Sequence, residues 1–233
     1  MSRRWVLASS NAGKLREFSH ALAPVLTQGS ITLLNQSDLG VVSAEEPFLT
    51  FEENALTKAQ HASRETGLPA LADDSGITVT SLADKPGIRS ARYWPDAIAA
   101  MEPAAVKSRD RLSALSTDEA NLLWLLEELS RTAQQRYPGE TPPESFYDAA
   151  FHAAIAFVRS ADDPDPIVVR GIWPGRVVLA PRGDHGFGYD PIFLDMDMGL
   201  TAAEMTIAQK QSVSHRGRAL RALLERLRQA QVL

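Results

Sequence analysis

"RWVLASSNAGKLREF", residues 4–18, is the stretch from which the fold is read. Trp5–Ala8 are an apolar run, and residues 4–10 read as a short buried strand that passes directly into "NAGK". From Lys14 to about Leu26, the residues Leu15, Phe18, Leu22 and Val25 have the apolar spacing of a helix. The turn between strand and helix exposes backbone N–H groups at a helix N-terminus, where an anion is favoured. Ser9, Ser10 and Asn11 add donors, Ala12 and Gly13 follow, and Lys14 supplies a full charge. The spacing of glycine and lysine is not that of a Walker loop. Capping of the helix by Ser10 or Asn11 accounts for the same residues equally well.

Outward from this unit, strands and helices alternate. "ITLLN" (31–35) reads as a second strand. "TFEENALTKAQHASRETG" is the clearest helix, with Thr50 and Glu53 as a capping box and Gly67 at its end. "LPALADDSGITVTSL" returns to strand, with the polar "DDSG" reading as an interruption where the strand meets a turn. A long helical region carries Leu122, Leu125, Leu126 and Leu129 on one side. Residues 150–158 and 166–180 read as two strands around the turn "SADDPD", and Ser214 caps a last helix with the stripe Leu220, Leu223, Leu224 and Leu227. The interleaving predicts an α/β (mixed α+β) class built on one mixed, twisted sheet flanked by helices. The Pro-rich break at 136–145 reads as a long loop, so residues 1–233 are expected to form one domain.

Composition narrows the chemistry. The 233 residues can bury a sizeable core, and 44% hydrophobic with 23% charged residues is ordinary for a globular chain. The absence of cysteine removes disulfides and thiolate metal sites and agrees with a reducing, cytoplasmic compartment. The five histidines are scattered, so a bound metal is expected to be a hard cation held by oxygens. "MSRRWVLASSN" has too short an apolar run for an export signal, and no stretch approaches a membrane span. A net charge of −5 argues against a nucleic-acid coat. Any anion must be held by a few placed cations.

Further constellations stand out. On the 51–66 helix, Asn54, Lys58 and His61 share a face, which on its own reads best as a solvated stripe. Asp73, Asp74 and Ser75 follow the apolar Leu71 and Ala72, with the acidic pair Glu45 and Glu46 upstream, and make a plausible magnesium site against the alternative of an Asp-rich turn. Lys210, His215 and Arg216 cluster near a helix start, where the macrodipole disfavours cations, which suggests an external anion or acceptor. In "APRGDHGFGYDPIFL" (180–194), three glycines crowd around Phe187 and Tyr189, as if something flat lies against the rings.

Six ordered segments, "VLASSNAGKLREF", "FEENALTKA", "LADDSGI", "PGIRSARY", "GFGYDPIF" and "SHRGRAL", together resemble the inosine triphosphate pyrophosphatase (dITP/XTP pyrophosphatase) family from residue 6 to about 220. The resemblance implies Mg²⁺-dependent hydrolysis of ITP, dITP and XTP to the monophosphate and pyrophosphate, in a nucleotide cleft between two lobes of a cytoplasmic homodimer. By the same resemblance, Ser9, Ser10, Asn11, Ala12, Gly13, Lys14 and Lys58 hold the triphosphate. Glu45 and Asp74 hold magnesium, with Asp74 also the proton acceptor and Ser75 a nucleotide contact. Phe187, Gly188, Tyr189, Asp190, Lys210, His215 and Arg216 surround the base. The partner is then a purine nucleoside triphosphate, with neither nucleic acid nor membrane involved. The rival readings are a pyrophosphatase for other modified nucleotides and a non-catalytic nucleotide-binding regulator.

Overall fold

The computed structural model describes residues 3–28, 31–100 and 103–233, and for Ala12, Val25, Gln28 and Pro103 it describes the backbone alone. The expected roles of the Ala12 and Val25 side chains thus lie outside the described residues. In chain order the elements are β1 (Arg3–Ala8), α1 (Ala12–Gln28), β2 (Ile31–Asn35), α2 (Phe51–Thr66), β3 (Ala70–Val79) and β4 (Lys85–Pro86). Three helices follow, α3 (Tyr93–Ala99), α4 (Pro103–Leu112) and α5 (Thr117–Arg136). Then come the long strands β5 (Asp148–Val158) and β6 (Ile167–Val177), β7 (Phe193–Leu194), and the helices α6 (Ile207–Val213) and α7 (His215–Gln229).

The strands make one mixed sheet in the order β2-β1-β3-β5-β6-β7, with β4 paired to β3. β1 runs parallel to β2 and β3, whereas β4 and β7 are antiparallel to β3 and β6. The α/β class expected from the interleaving is the observed one. The chain divides into two compact units, one of Met1–Ser75, His152–Ile172 and Ile207–Leu233, the other of Gly76–Phe151 and Trp173–Thr206.

In the first unit the period-two alternation of strands sorts the core into two layers. Trp5, Leu7 and Leu71 face Phe18 and Leu22 of α1 and Leu220, Leu223 and Leu227 of α7. Val6, Ala8, Ala70 and Ala72 face Ala55, Ala59 and Ala62 of α2. Large side chains fill the first layer. Alanine on both partners keeps the second layer thin, so α2 sits close to the sheet. The register Val6↔Ala70, Leu7↔Leu71, Ala8↔Ala72 aligns like with like on each face.

The expected break at "DDSG" does not exist. β3 runs unbroken from Ala70 to Val79, with Asp73 and Asp74 both buried inside it. Polarity alone pointed to a turn, but each carboxylate is met by basic side chains, which makes burial tolerable. At the start of α2, Thr50 accepts from the Glu53 backbone N–H as expected, but its hydroxyl also donates to the Glu53 carboxylate at 2.6 Å. The reciprocal capping box is instead found on α5, between Ser116 and Glu119.

In the second unit Trp94 of α3 packs on Trp124 of α5 with ring centroids 5.5 Å apart, and Asn121 Oδ1 accepts from the Trp94 backbone N–H at 2.8 Å. Phe193 packs on Phe151 and Trp173 at 4.5 and 4.7 Å. The Trp173 indole N–H finds Asp195 Oδ2 at 2.7 Å, so its burial leaves no orphan donor.

Gly171 in β6 faces the start of α7 so closely that a Cβ there would meet the His215 carbonyl oxygen, and would lie 2.7 Å from the Ala219 nitrogen. Gly171→Ala must therefore push α7 away from the sheet. Overfilling a packed core costs about 1–3 kcal/mol. The urea midpoint is expected to fall accordingly, and an unchanged midpoint would show that α7 yields freely.

Candidate active site

Because neighbouring strand residues point to opposite faces, Asp73 and Asp74 serve different layers of the first unit. Asp73 follows Leu71 towards α1 and α7. Its side chain is 0% exposed, and Lys14 Nζ lies 2.6 Å from Oδ2. Arg216 grips the same carboxylate with Nε 3.2 Å from Oδ1 and Nη2 3.3 Å from Oδ2. Ser75 Oγ donates to Asp73 Oδ2 at 3.0 Å and accepts from Arg216 Nη2 at 2.8 Å. Glu17, one helical turn after Lys14, pairs with Arg216 Nη1 and with Lys210 Nζ, the latter at 2.9 Å.

Asp74 follows Ala72 towards α2. Lys58 Nζ is 2.8 Å from Asp74 Oδ1 and 2.8 Å from Glu46 Oε1. Asn54 Nδ2 lies 3.4 Å from Asp74 Oδ2, and the amide is fixed by the Phe48 backbone, Nδ2 donating to its carbonyl at 3.2 Å and Oδ1 accepting from its N–H at 3.0 Å. The solvated-stripe reading of this helix face fails for Asn54 and Lys58, both buried, because the small alanines beside them bring α2 down onto Asp74. His61 Nε2 lies 3.0 Å from the Val42 carbonyl oxygen. Glu46, rather than Glu45, is set against Lys58; Glu45 is exposed.

At the start of α7, where an external anion or acceptor is expected, the cations already have anions from within the chain. Glu17 and Asp73 neutralise Lys210 and Arg216, a long-range pairing invisible in local sequence. In the turn before α1, Asn11 Oδ1 accepts from the Lys14 N–H at 3.0 Å and Ser9 Oγ from the Asn11 N–H at 3.2 Å. Asn11 thus caps the helix, Ser10 is exposed and Gly13 is buried. In the second unit, Asp190 Oδ2 accepts from the Phe187 N–H at 2.8 Å and Asp118 Oδ2 from the Gly188 N–H at 3.1 Å. Phe187 is half-buried, whereas Tyr189 is buried with its hydroxyl donating to the Ser90 carbonyl at 2.9 Å.

Burial and charge set the protonation states. Burial works to raise the Asp73 carboxyl, but Arg216 and Lys14 outweigh it and hold it far below the usual range. Burial likewise opposes ionisation of Glu17, yet Arg216 and Lys210 bring it to about 2. Burial raises Asp74, only partly opposed by Lys58. Burial lowers Lys14 despite Asp73, while Lys58 is raised because Asp74 and Glu46 overcome its desolvation. His215 is held well below its ordinary value by burial and then by Arg216, so it is neutral at pH 7. Among the described residues no three His, Asp or Glu side chains form a ready-made metal cage. Asp74 and Glu46 nevertheless converge on one ammonium, and their oxygens are the donor type a hard divalent cation takes.

Residues 5–226 match the model of the Ham1 family. The chain belongs to the Ham1 family. Within it, the dITP/XTP pyrophosphatase of Bordetella pertussis is 47% identical over 226 residues, covering 97% of this chain and 92% of that protein. The dITP/XTP pyrophosphatase of Shigella flexneri is 45% identical, covering 96% and 97%. A solved structure of a HAM1 protein from Coxiella burnetii superposes with a TM-score of 0.75 at 36% identity, covering 97% of this chain and 99% of that one.

Within this Ham1 family chain, Lys14, Lys58, Asp74, Ser75, Lys210, His215 and Arg216 of the expected set fall in the first unit, and Phe187 to Asp190 in the second. Glu17, Glu46, Asn54 and Asp73 complete the polar network; sequence placed Asp73 and Glu46 near a plausible magnesium site and Asn54 on a solvated face, and left Glu17 without a role. Glu17 carries no local signal, since its partner Arg216 lies 199 positions away in the chain.

Glu17 sets an acid limit on stability. Its carboxyl falls from 4.5 in the unfolded chain to about 2 in the folded one. Its contribution is therefore complete above 4.5 and is lost as pH falls towards about 2. Urea unfolding between those limits should show stability declining with acid, and Glu17→Gln should flatten that slope. An identical slope in the variant would remove Glu17 from the acid-sensitive set.

Proposed function

We propose that this chain hydrolyses aberrant purine nucleoside triphosphates (ITP, dITP and XTP) to the nucleoside monophosphate and pyrophosphate, as a magnesium-dependent cytoplasmic homodimer. The observation that carries the reading is Asp74, a buried carboxylate held between Lys58 and Asn54 beside Glu46, in a chain whose relatives are named dITP/XTP pyrophosphatases.

Asp74 has the attributes of a general base. Its pKa is raised by burial, so its carboxylate accepts a proton from water more readily than an exposed one. Lys58 and Asn54 orient it. Attack of that water on the α-phosphorus would release pyrophosphate, with the proton passing to Asp74.

Charge balance supports a divalent cation. Lys14, Lys58, Lys210 and Arg216 are already matched by Glu17, Glu46, Asp73 and Asp74, so the site holds four cations against four carboxylates. A triphosphate adds about four negative charges, which those cations alone do not offset. Asp74 with Glu46, or its neighbour Glu45, would hold Mg²⁺, which when bound offsets phosphate charge. The phosphates would lie against Lys14, Lys58 and the turn of residues 9–13. Phe187 offers a ring for the purine, and Lys210 and neutral His215 offer donors to its six-carbonyl. Adenine, with an amino group at that position, would leave such donors unpaired.

ITP, dITP and XTP should yield monophosphate and pyrophosphate, with ATP a poor substrate. Asp74→Asn should abolish turnover while circular dichroism and melting stay near those of the unaltered chain. Equal turnover of ATP and ITP would overturn the specificity, and orthophosphate release the bond cleaved. Activity of Asp74→Asn within about tenfold of the parent would place the base elsewhere.

Phe187→Ala should weaken IMP about five- to a hundredfold, the worth of one ring–base stack, and leave pyrophosphate inhibition nearly unchanged. A loss of both ligands alike, or of stability alone, would place the base elsewhere.

A further inference from the structure

Asp73 takes no part in the proposed hydrolysis, yet two of the proposed ligand-binding cations meet on it. Lys14 arrives from α1 and Arg216 from α7, more than two hundred positions later in the chain. Lys14 Nζ is 2.6 Å from Oδ2, and Arg216 approaches both oxygens, at 3.2 and 3.3 Å. Ser75 closes the arrangement by donating to the carboxylate and accepting from the guanidinium. The Asp73 side chain is 0% exposed and that of Arg216 2% exposed, so water cannot take over either partner's role.

We propose that Asp73 is a positioning residue whose single carboxylate fixes Lys14 and Arg216 against one another, so that the grip on the phosphates and the selection of the base are set by one buried anion. This rests on the reading above of Lys14 as a phosphate ligand and of Arg216 as part of the base-side cluster. The physical reason is the contrast between the two cations. Lys14 is a point charge on a flexible stem and has no preferred direction of its own. Arg216 is a rigid fork and imposes one. Gripping both oxygens of Asp73, Arg216 orients the carboxylate, and the carboxylate then places the ammonium. Without the anion, two like charges face each other in a buried space and Lys14 loses its anchor.

The test uses the full chain, inorganic pyrophosphate as inhibitor, and the ratio of kcat/KM for ITP to that for ATP. The ratio cancels any general loss of active protein. Lys14→Met should weaken pyrophosphate and leave the ratio near that of the unaltered chain. Asp73→Asn should do both, weakening pyrophosphate and lowering the ratio by about tenfold or more, the worth of a hydrogen bond to a charged group. In the double variant, pyrophosphate affinity should lie within about twofold of Lys14→Met alone, because both changes remove the same interaction. Independent, multiplying losses in the double variant overturn the proposal, as does Asp73→Asn with an unaltered ratio.

Should Asp73→Asn fail to fold, Asp73→Glu keeps the charge and displaces it by one methylene. The same paired loss is expected, and a loss confined to one readout overturns the coupling. The unaltered chain separates this from the hydrolysis reading. No preference for ITP there defeats the function, whereas a selective parent with uncoupled variants defeats only the role of Asp73.

Discussion

Two consecutive carboxylates are buried in the middle of β3, and neither can stay ionised there alone. Removing one partner from a buried ion pair typically costs about 3–5 kcal/mol, since the other charge is left without water or counter-ion. The alternation of the strand prevents one cation from serving both, as Asp73 and Asp74 point to opposite faces. Each layer of the first unit must therefore carry its own basic groups. Lys14 and Arg216 are brought to one face by α1 and α7, and Lys58 to the other by α2. The helices are held to the sheet by apolar layers, but their rotation about their own axes is dictated by where these cations must point.

The same constraint explains how the layers are built. The α2 side is lined by Ala8, Ala70, Ala72, Ala55, Ala59 and Ala62, so helix and strand approach closely enough for Lys58 and Asn54 to reach Asp74 directly. Larger residues there would lift α2 and leave the carboxylate unmet. On the opposite side the layer is thick, with Trp5, Phe18, Leu22 and Leu223, and it is spanned by the long side chains of Lys14 and Arg216. Layer thickness and side-chain length are matched on each face.

Much of this was legible in sequence, and the failures share a cause. The 4–18 stretch gave strand, turn and helix because each is specified by neighbours within a few residues. The 51–66 helix and the Ser214 cap are local in the same sense, and structure agrees. Local polarity misled wherever a partner is distant. "DDSG" read as a turn since nothing nearby neutralises it; Arg216, 143 positions away, does. Asn54 and Lys58 read as a solvated stripe because their carboxylate partner lies on another element. Glu46 could not be told from Glu45 by composition, and only its placement against Lys58 separates them.

The start of α7 shows how far such pairing reaches. Cations at a helix N-terminus oppose the macrodipole, and Arg216 occupies the second position of α7 with neutral His215 before it. Two features outweigh the penalty. Gly171 removes the side chain that would hold the helix start away from β6, and Glu17 and Asp73 supply anions on the side that faces inward. Helix orientation, ion network and close sheet contact are thus one condition met in three ways. A family member that kept the basic residues but replaced Gly171 with a larger residue would have to move α7, and with it the partner that orients Asp73. The geometry around Asp73 therefore depends on a glycine two strands away from it in the sheet, at the contact with α7.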